Sequence, residues 1–229
     1  YSYGETPIPT IKKIKLERKI KMRELKKYEG NRVILMACSK CNVACKHCYI
    51  GYTGNRTPDE LEQLAKYYSN KFKIVRIDGA EPLVDLGYLN SYKIVGQDWI
   101  MTNGLRIFKE PEIIDLLIEN GIKNVFMSYH FEIQDSLNGI TNDMLNNVIK
   151  MLRDKGIRVV LMTTITNKNA KDTLKICDTA YELGASGIEF NKIFIQGRAK
   201  NLTNIGLNRD DYDSLLNCNM QETNIILMI

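Results

Sequence analysis

The sequence predicts an α/β fold in which parallel strands alternate with helices. Six short apolar runs rich in β-branched residues recur along the chain, and most connections between them carry helical signals. Such strand–helix repetition is typical of parallel strands joined by right-handed crossovers. Two architectures fit the pattern, an open doubly wound sheet and a barrel. Six units in about 170 residues would form an incomplete barrel, because a full eight-unit barrel takes ~250 residues.

Each predicted strand is short and ends at polar or glycine-containing loop residues. The strands are predicted over residues 32–37, 72–78, 98–101, 123–128, 157–165 and 187–195. Functional loops gather at the carboxyl ends of parallel strands in both candidate architectures. We therefore expect the loops that follow the first four strands to form the site.

The predicted helices begin and end at recognisable capping residues. Thr57, Pro58 and Glu60 form the pattern of a capping box with proline at the first helical position. Later helices are predicted over residues 110–120, 142–155 and 170–183, each followed by a glycine.

The composition is that of an ordinary globular protein, with 44% hydrophobic and 26% charged residues in a chain of 229. No apolar run reaches the ~18 residues that span a bilayer, and no secretory signal opens the chain, so we expect a cytoplasmic protein without a membrane partner.

The net charge of +5 is confined to residues 1–30, which hold nine Lys or Arg against four Glu. We expect a basic, helical N-terminal extension there, either as a solvated face or as a docking surface for an acidic partner. Nucleic acid is disfavoured because no aromatic residues interleave the lysines.

Four of the six cysteines lie within eleven residues, at Cys38, Cys41, Cys45 and Cys48. Clustered cysteines in a chain without a secretory signal indicate a metal or cluster site rather than disulfides. All four thiols would suit a tetrahedral zinc site, whereas the spacing is not that of a ferredoxin. A third option uses only Cys41, Cys45 and Cys48, which leaves one iron of a cubane open to a small molecule.

The segment from Cys41 to Tyr49, C-N-x-x-C-x-H-C-Y, resembles the signature of the radical S-adenosylmethionine (SAM) superfamily. The resemblance extends over residues 32–200. The run 79–82, Gly-Ala-Glu-Pro, is similar to the Gly-Gly-Glu-Pro motif of the family, and 102–104, Thr-Asn-Gly, is similar to its third-strand motif. Two departures stand out: Ala80 replaces a glycine, and the residues after Ser128 replace an Asp-Gly pair.

The resemblance implies a partial (β/α)6 TIM-like barrel over residues 31–200 and a short C-terminal appendage over 201–229, the start of an extension or of an auxiliary-cluster domain of the SPASM or twitch type. It implies a [4Fe–4S] cluster on Cys41, Cys45 and Cys48 that cleaves SAM reductively to a 5′-deoxyadenosyl radical, which abstracts hydrogen from a substrate. The cofactor-binding residues implied are His47, Tyr49, Gly79, Ala80, Glu81, Pro82, Thr102, Asn103 and Ser128.

Two residues are candidates for the catalytic step itself. His130 follows the fourth strand, where proton transfer or substrate contact competes with simple packing. Cys218 lies beyond the barrel pattern, as an inert thiol, a catalytic one or a ligand of an auxiliary iron–sulfur cluster. Cys38 and Cys177 are expected to pack in the core.

The segments 193–200 and 207–211 resemble the exit from the sixth strand in family members that modify peptides or proteins. The expected substrate is therefore a peptide or protein that undergoes crosslinking, epimerisation or oxidation, with flavodoxin or ferredoxin as electron donor. Rearrangement or dehydrogenation of a small metabolite is the alternative. A non-catalytic zinc or electron-transfer module is a distant one.

Overall fold

The strands form a continuous series in chain order. The structure, a computed structural model, describes residues 31–51, 54–134 and 139–211. Its six strands are β1 (Arg32–Met36), β2 (Ile74–Asp78), β3 (Trp99–Thr102), β4 (Asn124–Ser128), β5 (Arg158–Ile165) and β6 (Gly187–Lys192). All pairs are parallel, as β1–β2 and as β3–β4–β5–β6. Within each sheet every strand pairs with the next one in sequence, which is the strand order of a barrel, so the partial (β/α)6 barrel is confirmed.

The helices connect these strands in the described part of the chain. They are α1 (Pro58–Ser69), α2 (Leu89–Val95), α3 (Leu105–Lys109), α4 (Ile113–Glu119), α5 (Asn142–Asp154) and α6 (Thr173–Glu182). The predicted capping box is confirmed, because Thr57 accepts from the Glu60 amide and the Glu60 side chain accepts from the Thr57 amide. The sequence reading missed α2 and α3, which are short and begin without a side-chain cap.

The last strand is shorter than predicted. Its expected range of 187–195 is wrong at the end, because the final pair with β5 joins Ile165 to Lys192 and no partner remains beyond it. Phe194 and Ile195 are instead exposed.

Strand residues alternate between the core and an interior cavity. Val75, Ile77, Val125, Met127, Val159 and Leu161 join the buried faces of the helices in one hydrophobic cluster. On the same strands Arg76, Phe126 and Met162 line a cavity, because successive side chains of a strand point to opposite faces.

Two sequence predictions, the basic extension 1–30 and Cys218, fall outside the residues that the structure describes. Residues past the predicted boundary at 200 pack against the barrel, where Ile205 forms a small cluster with Ile133 and Ile193. No helix in the described ranges is long and apolar enough to cross a membrane.

The Gln97 side chain forms hydrogen bonds with the backbones of both β2 and β3. Gln97 is 6% exposed. Its Oε1 accepts from the Ile77 amide at 2.7 Å, and its Nε2 donates to the carbonyls of Ile77 and Trp99, both at 3.1 Å. The amide of Gln97 thus takes the place of ladder bonds between the two strands.

Replacing Gln97 by leucine should lower the free energy of unfolding by about 1–3 kcal/mol, because the Ile77 amide and two carbonyls lose their partner in a buried place. Chemical denaturation of wild type and Gln97→Leu measures this. The matched control Gln63→Leu alters an exposed residue of α1 and should change stability by less than about 0.5 kcal/mol. Equal effects of the two variants would contradict the bridging role.

Candidate functional site

The loops at the carboxyl ends of the strands open into one cavity of about 800 Å³. Most of the predicted site residues line it, which confirms that the topology brings these loops together. The predicted residues on its wall are Cys41, Cys45, His47, Cys48, Tyr49, Gly79, Ala80, Thr102, Asn103, Ser128 and His130. Glu81 and Pro82 lie behind the wall, both buried.

Three thiols share one end of this cavity. Burial, with smaller contributions from the neighbouring sulfurs of Cys41 and Cys48, raises the pKa of Cys45 to about 11. Burial is also the main cause that raises the pKa of Cys41. Repulsion between ionised sulfurs is thus part of the rise in the pKa of Cys45. A bound cation would reverse it, since metal coordination stabilises thiolates.

Cys38 does not belong to this group. It is fully buried, and its Sγ donates to the carbonyls of Lys40 and Glu81, both at 3.7 Å. Cys177 is 6% exposed and packs in the core from α6. The loop therefore presents three thiols to the cavity rather than four. In the part of the chain that the structure describes, no three His, Cys, Asp or Glu side chains are grouped to hold a single metal ion.

Arg198 holds the cysteine loop from the far side of the barrel. Its Nε donates to the Cys45 carbonyl at 2.8 Å, and its backbone N–H donates to the Cys48 carbonyl at 2.9 Å. Gly197 before it has φ +55°, and a Cβ there would lie 2.7 Å from the Cys48 carbonyl oxygen. Only glycine allows this close approach. The sequence analysis did not single out Arg198 as a site residue, and the preceding glycine was the available signal.

Glu81 joins the loops after β1, β2 and β3 from a buried position. It is 1% exposed, and its backbone N–H donates to the Lys40 carbonyl. Its Oε1 accepts from the Thr102 hydroxyl at 2.8 Å, and its Oε2 accepts from the Asn103 amide at 2.7 Å. Oε1 also accepts from the Leu83 amide at 3.1 Å. Burial raises the pKa of this carboxyl to about 7, although these donors oppose the shift. The carboxylate therefore orders the loops instead of facing the cavity.

Asn103 connects the loop after β3 to the region of Cys41, the first cysteine of the motif. Its Nδ2 donates to the Asn42 Oδ1 at 2.7 Å and lies 3.6 Å from the Cys41 Sγ, while its Oδ1 accepts from the Leu105 amide at 3.0 Å. Because both ends of the amide are engaged, its orientation is fixed toward the sulfur. Hydrogen bonds to ligand sulfurs are one way in which proteins set the potential of an iron–sulfur cluster.

Ala80, the departure from the family motif, fits its place. Its backbone is outside the left-handed region, and its N–H donates to the Cys38 carbonyl at 3.0 Å. The methyl group is therefore accommodated without strain.

Two histidines meet on the cavity wall. The rings of His47 and His130 are 4.7 Å apart in an edge-to-face arrangement. Burial lowers the pKa of His47 to about 4 and that of His130 to about 3, so both rings are neutral near pH 7. The Nδ1 of His130 accepts from the Thr164 amide at 3.1 Å, which leaves the ring proton on Nε2. The His130 Nε2 and the His47 Nδ1 are buried without a partner in the structure.

The backbone beside His130 is strained. Phe131 has φ +56°, a conformation that side chains with a Cβ rarely adopt. The Phe131 carbonyl accepts from the Asn142 side chain at 3.1 Å, and the His130 amide donates to Gln134. Strain of this kind persists only where neighbouring groups fix it. The position of His130 is thus well determined, while its catalytic role stays a prediction.

A protein-family model described as the Radical SAM superfamily matches residues 36–180, which is more than half of the chain. The chain belongs to the radical SAM superfamily. The match spans the cysteine loop and the strands β2 to β5, so the resemblance expected from the motifs is confirmed. The family uses a [4Fe–4S] cluster together with SAM.

Curated relatives in this superfamily include the AdoMet-dependent heme synthase of Nitratidesulfovibrio vulgaris, which is 27% identical over 195 residues that cover 77% of this chain and 52% of that protein. The antilisterial bacteriocin subtilosin biosynthesis protein AlbA of Bacillus subtilis is 26% identical over 183 residues, 71% of this chain and 39% of AlbA. The chain therefore spans about half or less of the length of these relatives.

Solved structures of radical SAM proteins share the fold. Streptococcus suis SuiB bound to precursor peptide SuiA superimposes with a TM-score of 0.70 at 15% identity, over 100% of this chain and 57% of SuiB. anSMEcpe with bound AdoMet gives a TM-score of 0.65 at 18% identity, over 81% of this chain and 58% of that chain. At such identities the likeness concerns the fold alone.

The residues present fit a three-thiolate cluster with a small-molecule cofactor. The three thiols face one cavity, Asn103 directs an N–H toward one sulfur, and Arg198 places a positive charge beside Cys45. The cavity volume of about 800 Å³ is in the range of small-molecule sites, ~300–1,000 Å³. Buried ring nitrogens without partners lie on its wall.

The stability of the apoprotein should fall as pH rises through about 7 because of Glu81. A carboxyl with a folded-state pKa of about 7 binds its proton more tightly in the folded than in the unfolded state. Its contribution to stability is thus full below about 4.5 and lost above about 7. Denaturation of wild type and Glu81→Gln between pH 4 and 8 measures this, since the glutamine variant should lose that part of the slope. Parallel pH profiles would contradict the buried-carboxyl assignment.

Asn103→Ala should lower the reduction potential of the reconstituted cluster by roughly 40 mV, the one-electron equivalent of about 1 kcal/mol for one lost hydrogen bond to sulfur. A redox titration followed by electron paramagnetic resonance gives this value. Asn90→Ala changes an exposed residue of α2 and serves as the control. An unchanged potential in Asn103→Ala would rule out a hydrogen bond to the Cys41 sulfur in the loaded protein.

Proposed function

We propose that this chain holds a [4Fe–4S] cluster on Cys41, Cys45 and Cys48, cleaves SAM and abstracts a hydrogen atom from a peptide substrate. The observation that carries this proposal is the placement of the three thiols, without Cys38, at one end of a cavity that the other family motifs also line. Membership of the superfamily supports the same chemistry. His47, Tyr49, Ser128 and the loop 79–80 then contact SAM.

The residues of the chain hold and orient the reacting groups. When bound, the cluster supplies one electron that cleaves SAM to methionine and a 5′-deoxyadenosyl radical, which removes hydrogen from the substrate. Glu81 and Asn103 fix the loop near Cys41, and Arg198 fixes the backbone at Cys45 and Cys48, so that these three thiols would hold the cluster. His130 donates through Nε2 to a ligand in the cavity. The enclosing walls exclude water, which protects a radical from side reactions.

A peptide substrate is supported by the relatives with named products. AlbA takes part in the biosynthesis of the bacteriocin subtilosin, and SuiB has been seen with a precursor peptide. At the rim of the cavity Tyr49 and Phe194 pack at a ring distance of 5.6 Å, and each is 55% exposed. Exposed aromatic side chains at a cavity mouth suit contact with an extended chain.

A small metabolite is the second candidate substrate. The observation that favours it is the 27% identity to AdoMet-dependent heme synthases over 77% of this chain. Incubation of the reduced protein with SAM and either candidate peptides or small carboxylated metabolites separates the two, because only the true substrate raises 5′-deoxyadenosine formation and changes mass. We also propose a low-potential flavodoxin or ferredoxin as electron donor and a cytoplasmic location.

Alanine replacement of Cys41, Cys45 or Cys48 should each abolish binding of about four irons per chain and the formation of 5′-deoxyadenosine, because three thiolates are the minimum that holds the cluster. Iron and sulfide assays after anaerobic reconstitution measure the first effect, and chromatography of the reaction mixture measures the second.

The control for these variants is Cys38→Ala, which removes the fourth cysteine of the same run. It should retain iron, since the Cys38 thiol donates to carbonyls outside the cavity. Loss of metal in Cys38→Ala, or one zinc and no sulfide in wild type, would replace the proposal by the four-thiol zinc alternative.

A further inference from the structure

We propose that Arg76 of β2, on the cavity wall, and Asp78, two residues further along the same strand, form a substrate subsite that takes a carboxylate-bearing residue of a peptide. Arg76 binds the carboxylate, and Asp78 accepts an N–H of the same residue. The inference rests on the proposed function for its peptide substrate, and it adds the chemistry by which that substrate is selected.

Arg76 points into the cavity and is stacked on an aromatic ring. Its neighbours Val75 and Ile77 belong to the hydrophobic core, so the alternation of the strand turns Arg76 to the cavity face. The guanidinium carbon lies 4.6 Å from the centroid of the Trp99 ring on β3. Stacking fixes the plane of the guanidinium and leaves the N–H groups at its edge available for hydrogen bonds.

The Arg76 guanidinium has no acidic partner at ion-pair distance in the described residues. Its Nε is buried and has no hydrogen-bond partner. A buried donor without an acceptor costs free energy, more so when it is charged. A ligand carboxylate would satisfy it with two parallel hydrogen bonds, the arrangement in which arginine binds carboxylates best.

Asp78 adds a buried acceptor without a hydrogen-bond partner beside Arg76. It lies two residues further along β2 and faces the same side, ~7 Å away between Cα atoms. Its Oδ1 is buried without a partner. Burial raises the pKa of this carboxyl, and the charge of Arg76 opposes the shift. A donor and an acceptor, both unsatisfied on one strand, suit an amino-acid residue that carries a carboxylate and an N–H.

Arg76 lines the same cavity as the three cysteines of the proposed cluster site. Asp78 directly precedes Gly79 and Ala80 on the cavity wall, and the same cavity extends to the three cysteines. A residue anchored on Arg76 therefore lies in the space that the cluster loop closes. Glu189 of β6 also lines this cavity. A ligand carboxylate is attracted to the Arg76 guanidinium on the β2 wall, and Glu189 offers no such attraction.

The chain contains a single tryptophan, Trp99, so its fluorescence reports directly on this subsite. Titration of the full chain with glutarate and with its uncharged analogue glutaramide measures the preference for a carboxylate. We expect glutarate to bind at least about tenfold more tightly, since a hydrogen bond to a charged group contributes about 1.5–3 kcal/mol. Arg76→Gln should abolish the preference, and Arg76→Lys should retain part of it.

Two further variants separate this subsite from general charge effects. Lys93→Gln removes an exposed positive charge of α2, away from the cavity lining, and should change glutarate affinity by less than about twofold. Glu189→Gln removes a like charge from the cavity and should tighten binding. Equal affinity for glutarate and glutaramide, or a preference that survives Arg76→Gln, would overturn the proposal.

A second arm tests the source of the carboxylate. N-acetylglutamate N-methylamide, which carries peptide N–H groups, should bind more tightly than glutarate, and Asp78→Ala should remove that difference. If glutarate binds as well as the peptide-like ligand, the assignment to a peptide fails. These titrations need no radical chemistry, so their failure is distinct from failure to cleave SAM.

Discussion

A buried carboxylate between three loops is the constraint on which the site depends. Glu81 accepts hydrogen bonds from Leu83, Thr102 and Asn103, and its backbone donates to Lys40. The cost of burying this carboxyl appears in its pKa of about 7. The three donors to the carboxylate come from the loop after β2 and from the end of β3, and the Glu81 backbone N–H adds a bond to the loop after β1. The energetics of one group thus couple the cysteine loop to two neighbouring strand ends.

The cysteine loop is ordered mainly from outside. Between β1 and α1 the described residues contain no helix or strand, so the loop lacks a regular backbone pattern of its own. Asn103 holds it at Asn42, His130 packs against His47, and Arg198 bonds at Cys45 and Cys48. Each contact comes from a different strand end. Ligand geometry therefore follows from closure of the barrel, and isolated peptides of this loop would lack these contacts.

The sequence allowed prediction of local features and of spacing, but not of contacts across the barrel. Alternation located the strands, and Thr57 with Glu60 located the start of α1. The Cys-x3-Cys-x2-Cys spacing selected the three thiols that share the cavity. Arg198 escaped prediction because its partner Cys45 is 153 residues away and no local pattern marks the pair. Gln97 escaped for a similar reason, since a glutamine after a glycine looks like an ordinary loop residue.

The missing ladder between β2 and β3 and the Arg76 guanidinium without an acidic partner in the described residues are at the same strand junction. The structure records no ladder between β2 and β3, where Gln97 joins the strands through its side chain. On the interior face of this junction Arg76 lies over Trp99, without an acidic partner in the described ranges. A charged side chain inside a barrel is costly unless a ligand completes its hydrogen bonds. The cysteines follow the carboxyl end of β1 and Arg76 lies within β2, so the proposed substrate subsite is displaced along the strands from the proposed cluster site. Specificity for a substrate can then change at β2 and β3 without disturbing the Glu81 network that holds the cluster loop.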